Sequence, residues 1–414
     1  MPELAPFSAL RFTDSAGDLS LLLAPPYDVI DARDAADLKG QSPYNCVRLI
    51  LPEGLLVERY SNAAATLRRW VSDGILAVDS EPAAYVYRQE FEADGRRAER
   101  LAVFAAVRLS PLDRGKVLPH ERTHSGPKKD RLALTLATRA QLSPIFMVAR
   151  DADAALYDLE RESIVEPPTV EAVTADGIRH SLWVVSGNRC DTMLSVASAH
   201  PLLIADGHHR YETALAAAQS LGGNVKAAYA LVCVVSQRDP GLVVRPTHRI
   251  LAGPPAGASE PFDWIAALED GFLLEDLGPL SPAEAEERVA GAEAGSFIVL
   301  PAGSDRAWMA VARPEALRSA DIPSERARIA PVVFDGLVLR ALYCLDADQA
   351  SQGLLSYSRD PGAAGTVSEG GCGFILPPVA LEDVWTTAAR GGRLPPKSTY
   401  FEPKMPSGLL FRSL

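Results

Sequence analysis

Two periods of apolar residues run along this chain, and they separate strands from helices. Short continuous runs such as Ala84-Tyr85-Val86-Tyr87 and Leu101-Ala102-Val103-Phe104 read as strands, and they flank a helical stretch from Leu56 to Gly74 that carries Leu67 and Trp70. Residues 1–110 are therefore expected to form an N-terminal α+β unit. Within it, Pro25-Pro26-Tyr27-Asp28-Val29-Ile30 must be extended or turned, because proline fixes its own φ and restricts the residue before it.

Further along, a helix is predicted from about Pro127, with Leu132, Leu136 and Ala140 on one face, and Ser143-Pro144 ends it before an Ile145–Val148 strand. Residues 151–200 read as an inserted hairpin whose clearest strand is His180–Val185. Leu202–Ala205 is the next strand. Tyr211, Leu215, Ala218 and Leu221 then make the apolar stripe of a helix that stops at Gly222-Gly223, before a strand over Ala227–Val235. Strand, helix, strand predicts an α/β core over 111–253, and the fold class is α/β (α+β). Pro254-Pro255 with Gly257 marks a boundary, and 254–414 is expected as a C-terminal α/β unit with helices over Pro282–Gly291 and Ile329–Leu345 and a strand over Ser296–Leu300.

Composition narrows the function classes. No stretch is long and apolar enough to span a bilayer, and Met1–Phe12 lacks the layout of a secretory signal, so a cytoplasmic protein is expected. Five scattered cysteines without a Cys-x-x-Cys pair argue against a disulfide framework or a zinc cage. A net charge of -12 repels nucleic acid and favours small-molecule partners.

Candidate chemistry gathers at Ala205-Asp206-Gly207-His208-His209-Arg210, where a strand turns into a helix. Gly207 permits a backbone angle that other residues resist, and the free N–H groups of a helix start bind anions. Arg210 is suited to bridge two phosphate oxygens, His208 or His209 to donate to a third, and Asp206 to ligate Mg²⁺. The bland alternative makes Asp206 an N-cap and the histidines surface residues.

A second cluster is His120-Glu121-Arg122-Thr123 followed by Lys128-Lys129-Asp130-Arg131; from Asp113 to Arg131 six Lys/Arg stand against three Asp/Glu in an acidic chain. Such a segment suits an anionic ligand, and a carboxylate there is placed to accept a hydroxyl proton during phosphoryl transfer. The alternative for Glu121 is an ordinary surface ion pair. Pro246-Thr247-His248-Arg249 and Pro395–Phe401 are fainter, with structural and functional roles equally open. No P-loop, dinucleotide fingerprint, serine elbow or His-Glu-x-x-His helix is present.

Taken with Pro25–Ile30, Ser143-Pro144-Ile145-Phe146 and Pro395-Pro396-Lys397-Ser398-Thr399-Tyr400-Phe401, these motifs resemble the bacterial and archaeal domain-of-unknown-function family numbered 1015 over nearly the whole chain. The centre also resembles the ParB/sulfiredoxin fold, most closely its free-serine kinases. That resemblance implies Glu121 as general base. It implies Asp206 and His208 as further catalytic groups, and Gly207, His209, Arg210, His120, Thr123, Lys128, Arg131 and His248 as phosphate or nucleotide contacts. The implied activity is a Mg²⁺-dependent phosphotransferase that uses ATP or ADP and acts on a small hydroxyl compound such as free serine. Sulfiredoxin-type enzymes carry a catalytic cysteine in the turn where this chain has His208. A non-catalytic nucleotide sensor and a small-molecule phosphatase are the alternatives.

Overall fold

The computed structural model describes residues 1–55, 57–121, 125–258 and 261–414, without the side chains of residues 113 and 125–127. Two compact units emerge: of the described residues, those in 1–119, 125–243 and 403–414 form the first, and His120 and Glu121 with those in Val244–Glu402 form the second.

The first unit is built on a nine-stranded mixed sheet. Its strands are β1 (Leu4–Ala5), β2 (Ala84–Ala93), β3 (Arg96–Arg108), β4 (Val117–Leu118), β5 (Ile145–Ala149), β6 (Val170–Val173), β7 (Arg179–Val185), β8 (Leu202–Asp206) and β9 (Tyr229–Ser236). The spatial order is β4-β8-β5-β9-β3-β2-β7-β6, with β1 on β3. The strand β5, the Ala230–Ser236 part of β9 and the Leu101–Val107 part of β3 are buried throughout, which is why they read as continuous apolar runs and not as alternating ones.

Besides the helices Ala32–Gln41 and Val47–Ile50, this unit holds α1 (Glu58–Ser72), α2 (Ser125–Thr138), α3 (Ala155–Glu162), α4 (Gly187–Ser198) and α5 (His208–Ser220). The main core brings Met193 and Leu194 of α4 and Tyr211 and Ala214 of α5 against Val103, Met147 and Ile204 of the sheet. A second apolar cluster surrounds Trp70, Leu67, Leu49 and Phe411.

Two sequence expectations change here. The line near residue 110 cuts no unit, because β3 pairs antiparallel with β9 from Tyr229↔Arg108 to Val234↔Val103. Residues 151–200 hold the expected hairpin, β6 paired antiparallel with β7, but it extends the same sheet and is no separate insertion, since β7 pairs with β2 along its full length. Strand pairing between residues so far apart in sequence leaves no local signal.

In the second unit a six-stranded sheet runs in the order β11-β13-β12-β15-β10-β14. These are β10 (His248–Leu251), β11 (Phe272–Pro279), β12 (Phe297–Pro301), β13 (Arg306–Ala312), β14 (Leu355–Ser358) and β15 (Cys372–Ile375), with α6 (Pro282–Ala290) and α7 (Leu381–Ala389). Phe272, Phe297, Phe334 and Phe374 meet edge-on in its core at centroid distances of 4.9 to 6.1 Å. The helix expected over Ile329–Leu345 runs without a gap from Ala330 to Tyr343, but its middle, Phe334–Arg340, is π-helical. Four cysteines are buried and Cys344 is exposed, all as free thiols. Among the described residues, no helix is long and apolar enough to cross a membrane.

Candidate functional site

The chain leaves β8 at Asp206, and Gly207 turns it directly into α5 with φ +94° and ψ 31°. That left-handed conformation disfavours any residue with a Cβ. A Cβ added there would also lie 2.8 Å from Arg210 Nε, so the glycine lets the Arg210 side chain fold back over the turn. Because Gly207 is itself the N-cap, α5 starts without a side-chain cap. The leading N–H groups of a helix point away from its own carbonyls, a geometry that suits an anion.

Asp206 is not the cap. One carboxylate oxygen accepts from Arg210, and the other accepts from Lys404 Nζ at 2.8 Å. The three side chains are 14%, 9% and 13% exposed, so this is a largely desolvated cluster. Burial alone pushes the Asp206 carboxyl up, but Lys404 and Arg210, with His208 nearby, outweigh it and hold the group well below the usual carboxylate range. Arg210 also donates to the Pro144 carbonyl, which ties the turn to the Ser143–Phe146 motif. His208 is buried and His209 half-buried.

These contacts correct the metal assignment. Both Asp206 oxygens already hold a cation, and a dication placed there would sit against an ammonium and a guanidinium. The residues present do not fit Mg²⁺ at Asp206.

Around the turn, Tyr27, Arg131, Thr213 and Arg210 line one small hollow of about 60 Å³. Arg131, expected as a phosphate contact, is committed elsewhere. It donates to Asp130 and to the Ile50 carbonyl at 2.6 Å, and its guanidinium stacks 4.2 Å from the Tyr27 ring centre. Asp130 in turn holds Arg59 and the Tyr60 hydroxyl. This arginine therefore fastens α2 to the Pro25–Ile30 segment. Lys128 pairs with Glu212 on α5. Thr123 lies outside the described residues.

The remaining motifs gather in the second unit. His120 is fully buried and its Nε2 meets Thr399 Oγ1 at 2.8 Å, while its carbonyl accepts from Leu394 N at 2.8 Å. It anchors the Pro395–Phe401 segment, and its burial corrects the expected phosphate contact. Glu121 bridges to Leu394 through its backbone and keeps its carboxylate 21% exposed. Arg249 donates to the carbonyls of Thr247, Pro396 and Lys397 and lies 4.7 Å over the Tyr357 ring. Burial lowers its guanidinium to about 10, against the opposing pull of Tyr357, Glu121 and Asp335.

His248 is also corrected. It is fully buried in β10, where Nδ1 accepts from Leu376 N at 3.3 Å and Nε2 faces Glu286 at 3.2 Å. Burial first, then the Arg249 charge, lowers it to about 4, so the imidazole is neutral and offers no positive charge to a phosphate.

The motifs quoted from the sequence therefore separate cleanly: Pro25–Ile30, Lys128–Arg131, Ser143–Phe146 and Asp206–Arg210 in the first unit, and His120-Glu121, Thr247–Arg249 and Pro395–Phe401 in the second. Lys404 was not among the sequence candidates. It is a lone lysine 198 residues from its partner, and nothing in its neighbourhood marks it.

The profile of the family described as "Protein of unknown function (DUF1015)" matches residues 4–331. The chain belongs to DUF1015. No curated protein matches this DUF1015 member by sequence.

Similar solved structures include a free serine kinase in complex with ADP, at 15% identity over 72% of this chain and 86% of that one, with a TM-score of 0.34. A conserved hypothetical protein from Pyrococcus furiosus shares 18% identity over 74% and 93%, with a TM-score of 0.35. SbnI from Staphylococcus aureus, truncated at its C-terminus, shares 10% over 73% and 84%, with a TM-score of 0.35.

Proposed function

We propose that this DUF1015 protein is a nucleotide-dependent phosphotransferase that moves a phosphoryl group from ATP or ADP to a small hydroxyl compound. One observation carries the reading: α5 begins at a glycine N-cap, whose left-handed backbone carries no side chain, and Arg210 is folded back over that same backbone. Helix N–H groups and a guanidinium converging on one point make an anion site. Asp206 has a positioning role, since with the Pro144 carbonyl it fixes where the guanidinium sits.

Glu121 is assigned the proton-accepting role. The motif resemblance is what gives this role to Glu121, whose carboxylate is partly exposed; a base in that role takes the hydroxyl proton as the acceptor oxygen bonds to phosphorus, and the bond to the leaving nucleotide phosphate breaks with its electron pair. The acceptor class comes from the motif resemblance, which makes free serine the first compound to test. Mg²⁺ would enter with the nucleotide phosphates and not through Asp206.

Purified protein incubated with ATP or ADP, Mg²⁺ and serine is expected to yield phosphoserine and spent nucleotide in equal amounts. Neither product over a range of small hydroxyl acceptors would overturn the transferase reading, and tight nucleotide binding without turnover would favour a sensor.

A further inference from the structure

At the far end of β8 from the Asp206 turn, Asp151, Asp153 and His200 come together, each with one ligand atom within 4.8 Å of the others. Six residue steps lead from His200 to Asp206, about 20 Å at roughly 3.3 Å per step of strand, so the two clusters are distinct.

The decisive atom is Asp151 Oδ1. Asp151 is fully buried, at the point where the chain leaves β5 toward α3. Its Oδ2 accepts from Ser236 Oγ at 2.6 Å, Leu156 N at 3.2 Å and Tyr157 N at 3.4 Å. Its Oδ1 has no hydrogen-bond donor among the described residues and faces His200 Nε2 at 3.7 Å. The task of capping α3 and fastening β9 thus falls wholly on one oxygen. The other is buried without a hydrogen-bond donor, and it faces the His200 imidazole with the exposed Asp153 carboxylate beside both. Buried carboxylate oxygens are almost always paired, and a bare one aimed at two further donor groups marks the place of a cation.

We propose that Asp151, Asp153 and His200 bind one divalent transition cation of the zinc class, with water completing its coordination. Two carboxylate oxygens and one imidazole nitrogen are a zinc-type donor set, whereas Mg²⁺ and Ca²⁺ prefer oxygen alone. Ligands at about 2.1 Å in a tetrahedron stand roughly 3.4 Å apart, so the Asp151–His200 separation needs only a few tenths of an ångström of closure. The bound ion ties the α4–β8 link, which carries His200, to the end of β5, and its role is to hold that edge of the sheet.

The test uses the full-length protein after exhaustive dialysis against chelator. Calorimetric titration with ZnCl₂ is expected to show one saturable site, and Co²⁺ to give visible d–d absorption from an imidazole-containing site. His200→Ala and the exposed Asp153→Asn should each weaken Zn²⁺ binding at least tenfold, and His200→Ala should abolish the Co²⁺ bands. Asp206→Asn should leave both readouts intact. The proposal is overturned by no saturable uptake, in which case His200 is only an ionic partner of Asp151. It is equally overturned by uptake that both variants leave unchanged or that only Asp206→Asn removes.

Discussion

Replacing Asp206 by asparagine tests the cluster that shapes the turn. The substitution keeps the side chain's size and removes its charge, leaving Arg210 and Lys404, 9% and 13% exposed, to face each other without an anion. Removing one partner of a buried pair costs about 3–5 kcal/mol, and slight exposure places this site near the lower end. With a urea m-value of about 3 kcal/mol/M for a unit of this size, about 3 kcal/mol moves the midpoint down by about 1 M.

The pH dependence has a definite sign. The folded Asp206 carboxyl lies below its unfolded value of about 3.9, so the stability it contributes is complete above that value and drains away only as pH falls toward the folded one. Urea unfolding followed by far-UV circular dichroism should therefore show a constant gap between the protein and Asp206→Asn from pH 7 to about pH 5, narrowing below about pH 4. Lys404→Met should cost less, since Arg210 still satisfies the carboxylate. A gap under about 1 kcal/mol at pH 7, or one that narrows well above pH 5, would refute the reasoning.

Gly207→Ala forces a Cβ into φ +94° and against Arg210 Nε, and is expected to cost about 1–2 kcal/mol of stability and at least tenfold in nucleotide affinity, read by thermal melting and calorimetry. Glu121→Gln should lower turnover by about 10²–10⁴ with nucleotide affinity unchanged; equal losses in both would assign Glu121 to binding instead. Neutral His248 opposes protonation in the fold, so stability of the second unit should fall as pH drops from about 6.5 to 4, at up to about 1.4 kcal/mol per pH unit. His248→Gln should flatten that slope in thermal unfolding.

Local order was legible wherever one element decided its own pattern. The apolar runs at Leu101–Val107, Ile145–Ala149 and Tyr229–Val235 became central strands because both faces of each are covered, and the Asp206–Arg210 turn was readable because glycine before a helix has few other uses. What the sequence could not carry was pairing at long range. The partners of β3, the lysine on Asp206 and the Asp151–His200 approach all depend on residues tens to hundreds of positions apart. The same limit explains the misread cations: Arg131 and His248 sit in motifs that look like ligand sites, but their environments are fixed by Ile50, Tyr27, Leu376 and Glu286, none of which adjoins them.

Those misreadings sharpen the functional argument. Of the cationic groups grouped around phosphate at the outset, Arg131 is bound to a carboxylate and a carbonyl, His248 is neutral, and His120 is buried behind Thr399. Among the described residues, Arg210 keeps Nε–H and one N–H on each terminal nitrogen beyond its contacts with Asp206 and Pro144, beside the glycine N-cap of α5. A site with one oriented guanidinium and a helix terminus binds a phosphate by geometry more than by charge. Its affinity should then depend only weakly on salt, whereas a loose basic patch would lose most of its grip as ionic strength rises.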